Sequence, residues 1–452
     1  MKKHIIISIL AIFAQSFAFA SETPDIVDKL ITLSISSEGK YISSQDQWGL
    51  TYLIDVNSLK TTDFPEYYPG NGNAVSNSGL LAGQAMDGYG ALMSASGDVQ
   101  LLPNYGTDLP SSLNAITPDG TRVCGWVADL SGGAQYKPFY CDITDGQIGE
   151  VHILPTPQKD LLDDVPYMIT GVWISEDGKC IMGQVVDGTG FFTYPIVFFE
   201  NNGEWTYSLP SEPLFNPDNL PIPQWDPYNI DEYWREFGRV IKGCNFALGS
   251  MAMNPQGTMI AMPRMISEDE NGVQDYADAY QIVIFDLTSS EIIPVDSSNP
   301  YLIPVQILAD DTLVALDIST QEDFFLTKGS SDFISLTEYL KQKNSSWVPW
   351  IVENLTTELN TINGTQEVVS AGILSFSKDC KVMSGGCNNT LGVFSYIFVG
   401  DEASVEGLQA DFNGKYTVYN MKGIKIMETE EVSRLSSLPK GLYIINGKKT
   451  VR

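Results

Sequence analysis

A short phrase recurs seven times along the chain and constrains its fold more than any other feature. Each copy begins with small polar residues, continues through a turn that usually holds glycine, and ends in an apolar run. The turns fall at positions 39, 79, 120, 178, 257, 312 and 380. Asp-Gly and Ser-Gly supply the positive φ of a tight hairpin turn, and a run of about four to six apolar residues is typical of a strand. Each copy therefore predicts one β-hairpin.

A second apolar strand follows most copies, and a short polar turn and a third strand come after it. Four short strands in about 40–45 residues make one blade of a β-propeller, in which each sheet covers the apolar face of its neighbour. Seven copies predict an all-β chain with about seven propeller blades over residues 22–402. A β-sandwich or a solenoid with decayed repeats is the alternative.

The composition limits the class of protein and its partners. Hydrophobic residues make up 43% of the 452 residues and charged residues only 18%, so the chain can bury a large core and is not intrinsically disordered. Its 56 acidic and 26 basic residues give a net charge of −30. Nucleic acids and anionic membranes are bound through clustered cations, so this charge argues against both as partners.

The first twenty residues have the pattern of a secretory signal peptide. Lys2 and Lys3 precede the apolar stretch 5–17, and residues 18–20 (AFA) form a small-x-small cleavage site. A membrane anchor is the alternative, but the stretch is shorter than the ~20 residues that span a bilayer. We therefore expect residues 1–20 to be removed and the mature chain, without a transmembrane segment, to reach the extracellular space or the outer-membrane surface. The periplasm is its destination if the tail does not direct sorting.

An exported chain can oxidise its cysteines, of which there are six. Cys124 and Cys141 flank Gly132 and Gly133 symmetrically, which would let them face each other across one hairpin within disulfide reach. Buried free thiols that pack as small hydrophobic side chains are the alternative. A zinc site has little to be built from, because there is no CxxC and the mature chain has a single histidine, His152.

The insertion at residues 211–245 combines five prolines with four tryptophan and tyrosine residues. Prolines at this density forbid a central strand and impose extended or turn backbone. These four are Trp225, Tyr228, Tyr233 and Trp234. Their rigid rings predict a stacking platform for sugars, or else side chains that fold the insertion back onto the propeller rim.

A second insertion, residues 335–365, has the pattern of a helical hairpin. Ser335 and Glu338 have the spacing of a capping box at the start of one helix. Pro349 stands where a proline could open a second helix, over the sequence WIVENLTTEL.

Residues 267–278 align loosely with a 12-residue calcium loop. Asp269, Asn271, Asp275 and Asp278 fall at ligand positions 3, 5, 9 and 12, whereas the first position lacks its aspartate. A solvated acidic hairpin loop is the alternative. Calcium is the one cofactor that the sequence suggests, and we expect no other.

Two parts of the chain resemble known families. Copies two to four, such as NAVSNSGLLAGQAMDGYG, resemble the HAF-type propeller repeats of exported bacterial proteins. The tail, residues 405–452, resembles the type IX secretion sorting domain of Bacteroidetes. The matching stretches are VYN at 418–420, Gly423, residues 435–438, PKGLYI at 439–444 and GKK at 447–449.

The tail resemblance implies a small β-sandwich-like sorting unit that engages the type IX machinery for transfer across the outer membrane. An ordinary last β-domain is the alternative. The short strands around Tyr416 and Leu442 predict an all-β unit in either case.

No nucleophile, metalloprotease or nucleotide-binding motif is present, and His152 lies in an apolar run, as a core or inter-blade histidine would. We therefore expect a non-enzymatic binding or scaffold protein of the bacterial surface whose ligand is a protein or a glycan. A carbohydrate-active hydrolase or lyase that uses carboxylates on a propeller face is the alternative, because paired acids can hydrolyse glycosides.

Overall fold

The computed structural model describes an all-β chain with one short helix and several helical residues beyond it. It describes residues 24–70, 72–102, 110–129, 135–157, 168–186, 193–210, 250–265, 279–320, 322–343, 345, 347, 348, 351, 358–362, 365–369, 372–389, 392–399, 415–420, 425–429, 442–445 and 448–451. Within this part of the chain, no helix has both the length and the apolar character that crossing a bilayer requires. The signal-peptide prediction concerns residues 1–20, which lie outside the described residues.

The first strand belongs to the last blade, and the first four blades follow it in the chain. These elements are β1 (Asp25–Asp28); in blade 1, β2 (Ile31–Ile35), β3 (Tyr41–Gln45), β4 (Thr51–Asp55) and β5 (Thr61–Phe64); in blade 2, β6 (Tyr67–Pro69), β7 (Leu80–Ala85), β8 (Gly90–Ser94) and β9 (Val99–Leu101); in blade 3, β10 (Ser111–Ile116), β11 (Arg122–Asp129), β12 (Gln135–Thr144), β13 (Gln147–Ile148) and β14 (His152–Ile153); and in blade 4, β15 (Met168–Ile174), β16 (Cys180–Val186), β17 (Thr193–Asn201) and β18 (Glu204–Ser208). In blade 3 both β13 and β14 pair with β12.

Three further blades and an insertion complete the ring. They contain, in blade 5, β19 (Ala252–Met253), β20 (Met259–Met265), β21 (Tyr280–Asp286) and β22 (Glu291–Pro294); in blade 6, β23 (Leu302–Ile307), β24 (Leu313–Asp317), β25 (Asp323–Leu326) and β26 (Ile334–Ser335); in the insertion, α1 (Leu336–Gln342), β27 (Glu358–Ile362) and β28 (Thr365–Val369); and in blade 7, β29 (Gly372–Phe376), β30 (Val382–Asn389) and β31 (Gly392–Val399). Strands pair antiparallel within every blade, which confirms the prediction of a seven-bladed propeller and excludes a sandwich or solenoid.

Blade 7 takes its fourth strand from the other end of the chain. Strand β1 pairs antiparallel with β31, from Asp25 opposite Ile397 to Asp28 opposite Phe394. The last blade is therefore completed by the first strand, which joins the two ends of the propeller within one sheet.

Apolar side chains fill the spaces between neighbouring blades. Ile42 and Ile54 of blade 1 pack with Val382 and Ile397 of blade 7 in one such cluster, and all four are buried. Comparable clusters lie between the other pairs of neighbouring blades. Because full burial of one such side chain stabilises a fold by about 1.5–3 kcal/mol, these interfaces hold the ring together.

The recurrent phrase forms the turn between the first and second strands of each blade. In the first copy Gly39 N donates to Ser36 O over 2.8 Å, and Ser36 Oγ accepts from the backbone N of Lys40 and Tyr41 at 2.9 and 3.0 Å. Gly39 has a φ of 72°, which glycine adopts at little cost. The equivalent left-handed residues are Gly79, Gly120, Gly178, Gly257, Asp311 and Cys380.

The sixth copy corrects the predicted turn position 312 by one residue. Asp311 has the positive φ, 62°, and its N donates to Leu308 O over 3.0 Å. Leu308 replaces the small polar residue that opens the other copies, so the side-chain acceptor moves to Asp310, whose Oδ1 accepts from Thr312 N at 3.1 Å. The turn survives without glycine because aspartate visits the left-handed region more readily than most residues.

The insertion after blade 6 begins as predicted and then departs from the prediction. Helix α1 has the expected capping box of Ser335 and Glu338, and its buried Tyr339 stacks on Phe325 with ring centroids 4.2 Å apart. The predicted second helix is wrong at its end, because Glu358–Ile362 is strand β27, paired with β28. The Asn-Gly dipeptide that separates these strands in the sequence favours a two-residue hairpin, and this signal outweighs the helical spacing.

The tail contains four described strands in one antiparallel sheet. They are β32 (Tyr416–Asn420), β33 (Lys425–Thr429), β34 (Leu442–Ile445) and β35 (Lys448–Val451), in the spatial order β33, β32, β34, β35. Val418 is fully buried and lies opposite both Met427 and Ile445. The prediction of a small all-β unit after the propeller is confirmed.

Candidate functional site

The two ends of the propeller differ because its strands are antiparallel. The turns after the first and third strands of each blade lie at one end, which we call the turn end. The connections after the second and fourth strands lie at the other end, which we call the loop end. The seven phrases are therefore all at the turn end, and the long segments between blades leave from the loop end.

Hydrogen bonds between neighbouring phrases close the turn end. Each bond joins the second or third residue of one phrase to the next phrase around the axis. They run from Lys378 N to Ser37 O (3.0 Å), Glu38 N to Asn77 Oδ1 (2.9 Å), Asn77 N to Pro118 O (2.7 Å), Glu176 N to Pro255 O (2.8 Å) and Ala309 N to Lys378 O (2.9 Å). We call this set the ring of turns.

An ion pair crosses the axis inside the ring of turns. Glu176 Oε1 of blade 4 accepts from Lys378 Nζ of blade 7 and from Ser37 Oγ of blade 1, each over 2.8 Å. Side chains of Glu176 and Lys378 are about one-third exposed, at 34% and 35%, so solvent screens the pair and it contributes at most about 1 kcal/mol. The pair neutralises the two charges that line the narrow end of the channel.

The wider part of the central channel is lined by neutral side chains. A cavity of about 60 Å³ adjoins the ring of turns, and a larger one of about 240 Å³ extends toward the loop end. Leu33, Trp173, Met251, Asn73 and Gln306 stand in the wall of the larger cavity, and none of its described lining residues is ionisable. The described wall therefore offers apolar contact and uncharged hydrogen-bonding groups, and no pair of carboxylates.

Two side-chain amides fix this wall. Asn73 Nδ2 donates to Ile174 O over 2.9 Å and its Oδ1 accepts from Ile174 N over 3.2 Å. Gln306 bonds the backbone of Phe376 in the same way, at 2.7 and 3.2 Å. Because each amide replaces a missing strand neighbour, both are structural groups of the channel.

The residues that the sequence singled out for ligand and metal binding lie outside the described residues. Trp225, Tyr228, Tyr233 and Trp234 belong to the connection between β18 and β19, which joins the fourth strand of blade 4 to the first of blade 5.

Asp269, Asn271, Asp275 and Asp278 belong to the connection between β20 and β21, the second and third strands of blade 5. Both connections leave from strand ends at the loop end, on neighbouring blades. Within the part of the chain that is described, no group of three or more potential ligands is placed to hold a metal ion.

The predicted disulfide between Cys124 and Cys141 is not formed, because both are free thiols. Cys124 lies opposite Tyr140, and Cys141 lies opposite Val123, so a one-residue offset in register places the two side chains on opposite faces of the sheet. Cys124 packs toward blade 4 and Cys141 toward blade 2. Burial raises the pKa of Cys141 to about 12. The alternative of buried free thiols is the correct one for this pair.

A cation clamp between blades 3 and 4 was not predicted. Arg122 Nε contacts Asp142 at 2.7 Å, its Nη1 contacts Glu200 at 2.6 Å, and its guanidinium lies 4.6 Å from the ring centre of Tyr140. His152 of β14 stacks on Tyr140 of β12, with ring centroids 4.9 Å apart. This contact lies within blade 3 and the residue is exposed, so His152 is not the core histidine that the sequence suggested. The partners of the clamp are up to 78 residues apart, and no local pattern connects them.

No family model matches the chain, and no curated protein matches it. Several solved structures are similar to it. An oligogalacturonate lyase from Vibrio parahaemolyticus has 10% identity and a TM-score of 0.44, over 85% of this chain and 100% of that one. A virginiamycin B lyase from Staphylococcus aureus has 12% identity and a TM-score of 0.41, over 83% and 98%. The WD40 repeats of RRP9 have 10% identity and a TM-score of 0.42, over 83% and 98%. The propeller assignment rests on the pairing of this chain's own strands.

Proposed function

We propose that the chain is an exported binding or scaffold protein that engages its ligand at the loop end of the propeller. The observation that carries the proposal is the difference between the two ends. The turn end is closed by the ring of turns and by the ion pair of Glu176 and Lys378. Connections that vary in length and composition leave from the other end, and binding residues are disproportionately found on such loops over a rigid scaffold.

The described part of the channel supports binding over catalysis. Glycoside hydrolysis needs two carboxyl groups that flank the scissile bond. The described lining of the larger cavity has no ionisable side chain, and the one carboxylate of the smaller cavity, Glu176, is paired with Lys378. A hydrolase or lyase would have to draw its acids from other parts of the loop end.

We assign the ligand contacts of blades 4 and 5 to the two segments that the sequence singled out. The aromatic set of residues 211–245 would stack on a glycan, and the acidic residues of 267–278 would hold calcium beside it. Their departure from neighbouring strand ends at the loop end supports this assignment. Glycan retention that survives both calcium chelation and alanine at Trp225 and Trp234 would exclude it.

We further propose that the chain belongs to a Bacteroidetes-type bacterium and reaches the cell surface by type IX secretion. Its signal-peptide pattern and the residues of the tail that match the sorting domain support this route. The four strands of the tail pair only with one another among the described strands, as expected of a separate unit. Deletion of residues 405–452 should leave the propeller folded and retain it inside the outer membrane; normal levels outside the cell would exclude this route.

A panel of polysaccharides and secreted or surface proteins tests the binding function. Retention of the mature chain on at least one ligand, without new reducing ends or unsaturated products, is the expected result. Turnover of a polysaccharide that is lost when one pair of Asp or Glu residues is changed would favour the hydrolase or lyase instead.

A further inference from the structure

Three large apolar side chains are exposed together at the loop end of blades 1 and 2. Trp48 is 76% exposed, Met86 49% and Tyr68 43%. We call these three residues the blade 1–2 patch. Trp48 is the most exposed of the large hydrophobic residues that the structure describes, and tryptophan is the residue most enriched at binding hot spots.

A rigid turn presents Trp48. Asp46 Oδ1 accepts from Trp48 N over 2.8 Å and from Leu50 N over 3.0 Å, and Gly49 N donates to Asp46 O over 3.0 Å. Gly49 has a φ of 81°, which completes the tight turn. The backbone that carries the exposed indole is therefore held at four positions and does not belong to a loose loop, so little backbone entropy is lost when Trp48 binds.

Contacts tie together the segments that carry the three residues of the patch. Thr51 Oγ1, next to the Trp48 turn, donates to Tyr67 O over 2.6 Å. Met86 N donates to Glu66 O over 2.8 Å, which ties the blade 2 turn to the start of β6. The Tyr68 ring lies beside the backbone of Gly49, close enough that an added methyl group would contact it at 3.9 Å.

Carboxylates lie close to the patch residues in the sequence, and cations do not. Asp63, Glu66 and Asp87 are exposed, and Asp46 is half-buried beneath the Trp48 turn. Between Lys60 and Arg122 the sequence has no lysine or arginine. The pKa of Tyr52, which packs toward blade 7 in the neighbouring part of blade 1, is raised first by burial and then by the negative charges of Asp46 and Asp63.

We propose that the blade 1–2 patch binds a cationic peptide segment of a partner protein, in which lysine or arginine alternates with apolar side chains. Apolar side chains would cover Trp48, Tyr68 and Met86, and the cations would meet Glu66 and Asp87. A second copy of this chain fits poorly because its net charge is −30. The inference rests on the proposed function, since it takes the loop end to be the binding end.

Fluorescence anisotropy with the mature full chain tests the proposal. The probe is a labelled peptide in which three arginines alternate with three leucines, and its matched counterpart has glutamate in place of arginine. At low ionic strength we expect the cationic probe to bind at least tenfold more tightly than the acidic one. Trp48→Ala should weaken it about thirtyfold, which is the size of a hot-spot loss of about 2 kcal/mol.

Matched controls distinguish the patch from general attraction to an acidic protein. Asp87→Asn at the loop end should weaken binding about threefold, whereas Asp98→Asn in the turn-end connection of the same blade should not change it. Tyr207→Ala, which removes an aromatic ring of 38% exposure from blade 4, should also leave binding unchanged. Spermidine carries charge without apolar surface, so it should displace the probe only at concentrations at least tenfold above those of unlabelled peptide.

Several results would overturn the proposal. These are no binding of the cationic probe to the wild-type chain, equal binding to the wild type and Trp48→Ala, equal losses in Asp87→Asn and Asp98→Asn, and displacement by spermidine as efficient as by peptide. Failure of the proposed function is read separately, from polysaccharide turnover in the ligand panel. A chain that retains a ligand in the panel but binds the probe independently of Trp48 would contradict only the role of the blade 1–2 patch.

Discussion

The two ends of the propeller are built from the same strands but obey different constraints. At the turn end all seven connections between the first and second strands repeat one backbone geometry, with a left-handed residue at the same position. At the loop end, connections range from the tight turn before Trp48 to the segment between β18 and β19, which spans more than forty residues. The turn end has one solution because seven turns must meet around one axis.

This difference explains why the repeat can be recognised in the sequence, whereas the ligand cannot be predicted from it. Residues of the ring of turns touch the neighbouring blade, so their identity is restricted by packing. Connections at the loop end share no common backbone geometry, and the exposed residues among them are available for binding. We therefore expect changes at the turn end to alter the free energy of unfolding, and changes at the loop end to alter binding.

The largest expected effect comes from filling a left-handed turn position. Gly257 has a φ of 68°, and a Cβ at this residue would meet Cys180 Cβ at 2.7 Å and Ser175 Cβ at 2.9 Å in the neighbouring blade. Gly257→Ala should lower the free energy of unfolding by about 3 kcal/mol, because backbone strain and a steric clash add. Chemical denaturation measures this loss.

Gly203→Ala is the matched control for this change. Gly203 has a φ of 84°, but a Cβ there would meet no atom within 4 Å. The loss should be about 1 kcal/mol, from left-handed strain alone. Equal losses at Gly257 and Gly203 would show that contact between neighbouring turns does not restrict the turn end.

A smaller loss is expected when the ion pair across the axis is removed. Glu176→Ala should lower the free energy of unfolding by about 1 kcal/mol, and by less at high salt, because the pair is partly exposed. A double-mutant cycle with Lys378→Ala should recover a coupling of similar size. Additive losses from the two single variants would mean that the pair does not link blades 4 and 7.

Acidic pH should lower the free energy of unfolding by protonating aspartates of the turn end. Burial raises the pKa of Asp119, but hydrogen bonds from Thr117 and Thr121 outweigh burial, so the pKa is lowered. The pKa of Asp379 is also lowered, because hydrogen bonds from Lys381 and Ser377 outweigh its burial. Both carboxylates thus stabilise the fold above the pKa of an unfolded aspartate, about 3.9, and this contribution is lost as the pH falls through their lowered values.

Urea unfolding at pH 5 and at pH 3 measures this contribution. The double variant of Asp119→Asn and Asp379→Asn should lose less stability between these two pH values than the wild type does. A loss as large as that of the wild type would exclude the two turn aspartates as its source.

The smallest expected effect is the alkylation of the native cysteine thiols, which should be almost absent in the folded chain. Burial raises the pKa of Cys141, Cys180 and Cys380 to about 12, and it also raises that of Cys124, so few thiolates exist at neutral pH. We expect peptide mapping after alkylation to find these four unmodified in the folded chain, while Met86→Cys at the loop end is labelled. Rapid labelling of Cys180 or Cys380 would mean that the turn end opens.

The blades could be predicted from the local chemistry of their turns, whereas the exact register between paired strands could not. Glycine at a tight turn is a local signal, so seven phrases led to seven blades, and the sixth was displaced by one residue because Leu308 lacks the polar side chain. The disulfide prediction failed because symmetry about Gly132 and Gly133 fixes register only to within one residue, and one residue reverses the faces.

Contacts at the axis and at the rim could not be predicted from sequence for a different reason. Glu176 and Lys378 are 202 residues apart and meet only because blades 4 and 7 face each other across the channel. Trp48 gave a usable signal, since Asp-Gln-Trp-Gly is a turn sequence with a large aromatic residue at its tip. Its exposure, and its place beside Tyr68 and Met86, needed the folded ring.

Hydrogen–deuterium exchange with and without the cationic probe tests most directly whether the loop end binds while the turn end holds the fold. We expect new protection in segments 46–50, 66–68 and 85–89 when the probe is bound. We also expect the phrases at 36–40, 117–121 and 254–258 to be protected in the free chain and to stay unchanged. Ligand-induced protection confined to those phrases, with none around Trp48, would show that the loop end is not the binding end.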